Sequence, residues 1–221
     1  SKLIALAAQS GGNPDENPRL AMALAKARKD SVTADVITRA IKRGTGELEG
    51  ASYEEATYEG TGAGGTLFIV EALTDNRNRT VAELRKIFEK NAGVLGSSGT
   101  AGWAFDRKGL ITVARDAADE DKLMEVAVGA GADDYVDDGD VWTINTPPDQ
   151  LDAVAKAMEA VSLPLASQKL GWVPKNKKPV VGRDAEMCIR LADVLDEHED
   201  VQTVYFDFDV PEEELANLQV D

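Results

Sequence analysis

Between Gly109 and Val173 the chain switches hydrophobic period in an order that few folds can absorb. Leu110–Val113 is a short β-branched run, and Asp119–Gly129 has helical spacing with an aspartate positioned to cap it. Tyr135–Val136 and Val141–Asn145 return to strand character around Asp138-Gly139, a dipeptide suited to a tight hairpin turn. Pro148–Val161 is a second helical stretch, and Ala166–Val173 a last strand. The order β-α-β-β-α-β predicts the ferredoxin-like split arrangement.

The flanks then have little freedom. Thr66–Thr74 is an apolar β-rich run, and Thr80-Val81-Ala82-Glu83 has the form of a capping box. The helix it would open carries Val81, Leu84, Ile87 and Phe88 on one face, and Ala101–Arg107 predicts another strand. Near the C-terminus, helix Arg183–Glu197 and strand Val201–Phe208 lack the partners to stand alone. They are expected to complete the unit begun at Thr66, making 109–170 an insertion in a discontinuous α/β domain built from 53–108 and 171–221.

Residues 1–46 have a different texture. Leu3, Ile4 and Leu6 begin an apolar segment that ends at Ser10-Gly11-Gly12. Asn17-Pro18 is an N-cap followed by proline at the first helical position, with Leu20, Ala23, Leu24 and Ala27 forming the stripe behind it. Thr33 can cap a third helix with Val36, Ile37, Ala40 and Ile41 inward, ended by Gly44. The expected fold class is α+β: an N-terminal three-helix bundle plus two ferredoxin-like α/β domains, the last inserted into the second.

Several activities have little support. Gly60, Gly62 and Gly65 match G-x-G-x-x-G, but a dinucleotide loop must follow a strand and open a helix. Here a strand follows, so the glycines are expected to connect two strands, with no cofactor. The aspartates at 133, 134, 137, 138 and 140 lack EF-hand spacing and surround a turn, which predicts solvated acids and no metal. One cysteine, Cys188, and one histidine, His198, leave no disulfide, too few ligands for zinc and no nucleophile–base pair, so no catalytic residue is assigned. With no bilayer-length apolar run and no signal-peptide pattern, the expectation is a cytoplasmic chain without membrane partners.

Charge is more informative. The chain holds 24 Lys and Arg against 40 Asp and Glu, a net charge of −16. Residues 1–46 carry eight basic and four acidic residues, net +4, which leaves −20 for 47–221. This division is that of a polyanion-facing head on an acidic body, or of an ordinary solvated surface. Arg28, Lys29, Arg39, Lys42 and Arg43 are the candidate phosphate contacts; cations near helix C-termini also serve the helix dipole. Arg77 and Arg79 lie just ahead of the helix expected from Val81, where cations are unfavourable without an anion. That anion is Asp75, another acidic side chain or a phosphate, so the pair is an anion seat or an internal brace.

The segments "GGNPDENPRL", "YEGTGAGGT", "TDNRNRTVAELRKIF", "GWAFDRKGLITV" and "EDVQTVY" resemble, in order and over essentially the whole chain, the YebC family. The resemblance implies three domains, a helical bundle and two α/β domains with the last inserted into the second. It implies a non-enzymatic regulator of gene expression, conventionally a DNA-binding transcriptional regulator. The alternative, carried by a mitochondrial relative that activates translation, is a factor associated with RNA or the ribosome. It further implies a strongly basic segment ahead of the position matching Ser1. With that segment the nucleic-acid reading gains charge, and without it binding is expected to be weak.

Overall fold

The computed structural model describes residues 1–218. It forms two compact units, one made of Ser1–Ala101 with the chain from Lys178 onward, the other of Gly102–Lys177.

The first unit opens with helices α1 (Lys2–Ala8), α2 (Pro18–Lys29) and α3 (Ala34–Gly44). The Leu20 N–H donates to Asn17 Oδ1 at 3.1 Å, so α2 begins where its cap and proline predict. Asn17 Nδ2 also donates to the carbonyls of Ala7 and Gly11, both at 2.8 Å, tying the end of α1 to the start of α2. Ile4, Ala8, Leu20, Leu24, Ala27 and Ala40 form the bundle core. Two local expectations are corrected. Thr33 precedes α3 but makes no side-chain cap bond, and Val36 is 42% exposed rather than inward. The small residues of α1 let α3 approach closely: a Cβ on Gly44 would lie 2.2 Å from the Ala5 carbonyl oxygen.

After the bundle come β1 (Glu54–Thr61), β2 (Leu67–Thr74), α4 (Arg77–Lys90) and the two-residue β3 (Val94–Leu95). The unit's sheet therefore starts at Glu54, twelve residues before the first strand predicted from sequence. The glycine-rich stretch joins β1 to β2 as an antiparallel pair, with Gly60 opposite Phe68. Gly64 and Gly65 have φ of 68° and 73°, a left-handed backbone that glycine adopts without strain. The G-x-G-x-x-G spacing thus belongs to a strand-to-strand connection.

The second unit comprises β4 (Phe105–Ala114), α5 (Glu120–Gly129), β5 (Asp134–Asp137), β6 (Val141–Thr146), α6 (Leu151–Ala160) and β7 (Ser167–Pro174). Its order is β5-β6-β4-β7, every pair antiparallel, which is the ferredoxin-like layout. Ile111, Val113, Trp142 and Ile144 pack against Leu123, Ala127, Val154 and Met158 from the helices. Each such large side chain contributes about 1.5–3 kcal/mol by burial. The predicted strand Ala101–Arg107 is corrected at its start, since Gly102–Ala104 is a 3-10 turn, and its remainder from Phe105 runs on through Leu110–Val113 as one strand, β4. Gly109 lies within it because a Cβ there would be 2.2 Å from Thr146 Oγ1 and 2.8 Å from Leu151 Cβ. Gly139, with φ of 83°, makes the predicted turn between β5 and β6. Nearby, Asp133 pairs with Lys108 and Asp137 with Arg115.

The chain then returns through β8 (Lys178–Pro179), α7 (Gly182–Glu197), β9 (Val201–Phe206), β10 (Phe208–Asp209) and α8 (Glu212–Leu215). β9 pairs with β2, giving the order β3-β1-β2-β9, while β8 and β10 pair separately. Phe68 and Val70 of β2 pack with Leu84 and Phe88 of α4 and with Cys188, Leu191 and Leu195 of α7. The predicted strand Val201–Phe208 breaks at Asp207, whose Oδ1 accepts the Leu67 N–H at 2.8 Å. Burial raises the pKa of this carboxyl despite that hydrogen bond.

Candidate nucleic-acid interface

Helix α4 starts at Arg77, four residues before the expected Val81. Asn76 caps it, its Oδ1 accepting the Arg79 N–H at 3.0 Å. Thr80 is buried inside the helix rather than capping it; its hydroxyl donates to Asp200 Oδ2 at 2.9 Å and lies 2.7 Å from the Thr74 hydroxyl. Arg77 and Arg79 therefore occupy the first turn instead of preceding the helix.

Asp200 is the centre of what surrounds them. Its side chain is 1% exposed and takes Lys2 Nζ on Oδ1 at 2.6 Å and Arg79 Nη2 on Oδ2 at 2.9 Å. Burial by itself raises a carboxyl pKa, but the hydrogen bonds from Lys2, Arg79 and Thr80 outweigh it and hold Asp200 at about 2. Arg79 also donates to Asp75 Oδ1 at 3.2 Å, and Asp75 Oδ2 accepts Arg43 Nη2 at 3.0 Å. Arg43 continues to the Tyr53 hydroxyl at 2.7 Å and lies 4.3 Å from the centroid of that ring. Lys2, Asp200, Arg79, Asp75 and Arg43 thus alternate in sign along one chain of contacts. It joins the bundle to the sheet of the same unit.

This network divides the seven candidate cations. Arg43 and Arg79, expected at separate places, share the Asp75 carboxylate, the partner named among the alternatives for Arg79. Arg77 is exposed and pairs, among the described residues, with Glu54 at 3.4 Å. Arg28, Lys29, Arg39 and Lys42 are exposed on α2 and α3. The side chains of Arg28, Arg39 and Lys42 have no hydrogen bond or ion pair among the described residues. Sequence reasoning missed Asp200 and Lys2, which no local pattern marks as partners.

Glu83, His198 and Asp200 bring one potential metal-ligand atom each within 4.8 Å of one another. The set does not suit a cation. His198 Nδ1 accepts the Asp200 N–H at 3.1 Å, which leaves Nε2–H to donate to Glu83 at 2.7 Å. A metal ion would also have to displace the Lys2 and Arg79 charges already on Asp200.

The fold and site together define an α+β protein of two compact units whose helical bundle carries cations with no side-chain partner among the described residues. The chain belongs to the TACO1/YebC family. Residues 1–47 match the model of the TACO1/YebC protein N-terminal domain, and residues 53–208 that of the TACO1/YebC second and third domain. A "Probable transcriptional regulatory protein" of Solibacter usitatus is 46% identical over 217 residues, covering 98% of this chain and 88% of the relative. One of the same description from Desulforapulum autotrophicum is 45% identical over 213 residues, covering 96% and 86%. The crystal structure of a conserved hypothetical protein from Aquifex aeolicus superimposes with a TM-score of 0.89 at 39% identity, covering 96% of this chain and 88% of that one. No helix among the described residues is long and apolar enough to cross a membrane.

Proposed function

We propose that this chain is a non-enzymatic regulator of gene expression that binds DNA in transcriptional control, using the outer surface of its helical bundle. The observation that carries the reading is the set of exposed cations Arg28, Arg39 and Lys42, without side-chain partners among the described residues, on a bundle of net positive charge. An ion pair within the fold would have neutralised them; a phosphate backbone would do so in a complex. Lys29 adds a further exposed charge beside Arg28. Relatives named as transcriptional regulatory proteins support the same reading. Arg43 and Arg79 act in it as braces that hold the bundle in place, and Arg77 as a peripheral contact. The test is a salt series. Each phosphate neutralised on duplex DNA contributes about 0.9 to the slope of log affinity against log salt. Replacing Arg28, Lys29, Arg39 and Lys42 by Gln is expected to flatten that slope by two or more units. An unchanged slope removes the bundle from the interface.

A second reading is favoured by the charge of the remainder. Residues 47–221 carry −20, which a bare duplex repels. A ribosome presents basic protein surfaces beside RNA, so an acidic body with a basic head suits a translation factor on that particle.

A further inference from the structure

The second unit is electrically divided. Gly102–Lys177 holds 14 acidic and eight basic residues, but five of those eight lie in two short stretches, 102–108 and 169–177. With Asp106 as their one acid, these stretches carry net +4, against −10 for the rest of the unit. The pairing of β4 with β7 brings them together, setting Phe105 opposite Pro174 and Arg107 opposite Trp172. Just past the paired residues, the Lys175 N–H donates to the Ala104 carbonyl at 2.8 Å. The Gly102–Ala104 turn and the 175–177 segment therefore meet at one end of the β4–β7 ribbon.

Aromatic surface is exposed at the same end. Trp103, in the turn, is 68% exposed and stands outside the apolar core of its unit. Folding alone would have buried so large an apolar ring. Trp172 holds the Arg107 guanidinium 4.8 Å from its ring centroid, which gives that cation a fixed place. Leu170, two residues along β7 and so on the same face as Trp172, is 43% exposed. Lys175 and Lys177 are exposed, and their side chains have no hydrogen bond or ion pair among the described residues. A ligand that suits exposed indole and cations together is both flat and anionic. A nucleic-acid strand offers bases for stacking and phosphates for the cations, whereas an acidic peptide offers only the charge.

We infer that this end of the β4–β7 ribbon binds single-stranded DNA, with a base stacked on Trp103 and phosphates against Arg107, Lys175 and Lys177. The choice of DNA over RNA rests on the reading above, while the stacking and charge belong to a unit other than the bundle. Bases inside a duplex are already stacked on both sides, so the indole selects an unpaired strand, such as one exposed where a duplex is opened.

The experiment uses the full chain with a short labelled oligothymidylate, the matching oligouridylate, and a duplex of the same length. Oligothymidylate is expected to quench tryptophan emission and to bind at least as tightly as oligouridylate. Trp103→Ser, at an exposed position, is expected to weaken single-strand binding about tenfold while sparing duplex binding, and Trp103→Phe to retain most of it. Replacing Lys175 and Lys177 by Gln is expected to flatten the single-strand salt slope by about 1.4, at about 0.7 per phosphate. Single-strand binding unaltered by the serine and the glutamine variants, with duplex binding intact, overturns this surface and leaves the bundle reading standing. Displacement of the strand by poly-glutamate at equal charge overturns the stacking and assigns the patch to acidic peptides. Tighter binding of oligouridylate overturns the choice of DNA. Failure to bind either single strand or duplex overturns this surface together with the function proposed above.

Discussion

Lys2 and Asp200 are 198 residues apart in the chain and 2.6 Å apart in the fold. The contact places an ammonium from the first turn of α1 on a carboxylate just ahead of β9, with Arg79 and Thr80 on the other oxygen. Three donors make the buried charge tolerable, and the charge in turn holds the bundle against the sheet.

Asp200→Asn is expected to destabilise the protein by about 2–3 kcal/mol at neutral pH, because Lys2 and Arg79 lose their anion but can still reach water. The folded-state pKa of about 2 lies below the unfolded value of 3.8, so the unfolded chain binds the extra proton between them. This contribution is full above about pH 4 and is lost as pH falls toward 2. Denaturant melts of both proteins across that window check it, and a difference independent of pH contradicts it.

The two arginines of α4 should separate. Arg79→Gln removes contacts to both Asp75 and Asp200, leaving the buried Asp200 charge short of a donor, and is expected to lower the melting temperature measurably. Arg77→Gln removes only an exposed contact to Glu54 and should stay within about 0.5 kcal/mol. Thermal denaturation read together with nucleic-acid affinity makes the comparison. Lost affinity at unchanged stability for Arg79→Gln would restore that residue to the interface.

Gly44→Ala improves intrinsic helix propensity by about 1 kcal/mol and should nevertheless destabilise. The added Cβ would stand 2.2 Å from the Ala5 carbonyl oxygen and 2.6 Å from Ala8 Cβ, forcing α1 away from α3. The expected net loss is about 1–3 kcal/mol, read by chemical denaturation. A stabilised variant would show that the two helices part without cost.

Sedimentation of cell extract at near-physiological salt distinguishes the two functional readings. Transcriptional control predicts absence from ribosomal fractions together with sequence-selective retention of promoter DNA. Co-migration with ribosomal particles, persisting after nuclease treatment that spares them, would favour the translational reading.

Much of the fold was legible because its signals are local. Asn17 caps the helix that Pro18 opens, and Asp138-Gly139 turns between two strands, each by contacts spanning a few residues. The α4 start was misread because both Asn76 and Thr80 are capping residue types. Thr80 is excluded from that role because its hydroxyl is drawn into the interior by Asp200, 120 residues away. Gly109 looked like a boundary and is a packing requirement, visible only once Leu151 and Thr146 are placed beside it.

The sequence by itself determined the hydrophobic periods, the caps and turns, the ferredoxin-like order of the inserted unit and the concentration of positive charge in the first 46 residues. Each depends on neighbours along the chain, where the backbone's few allowed conformations and the period of side-chain burial limit the outcomes. Tertiary structure alone decided which cations are spent inside the fold and which remain outside it. Arg43, Arg79 and Lys2 are spent because folding brings Asp75 and Asp200 to them. Arg28, Arg39 and Lys42 stay free because no carboxylate among the described residues comes within pairing distance, and charge pairing depends on distance in space rather than on order in sequence.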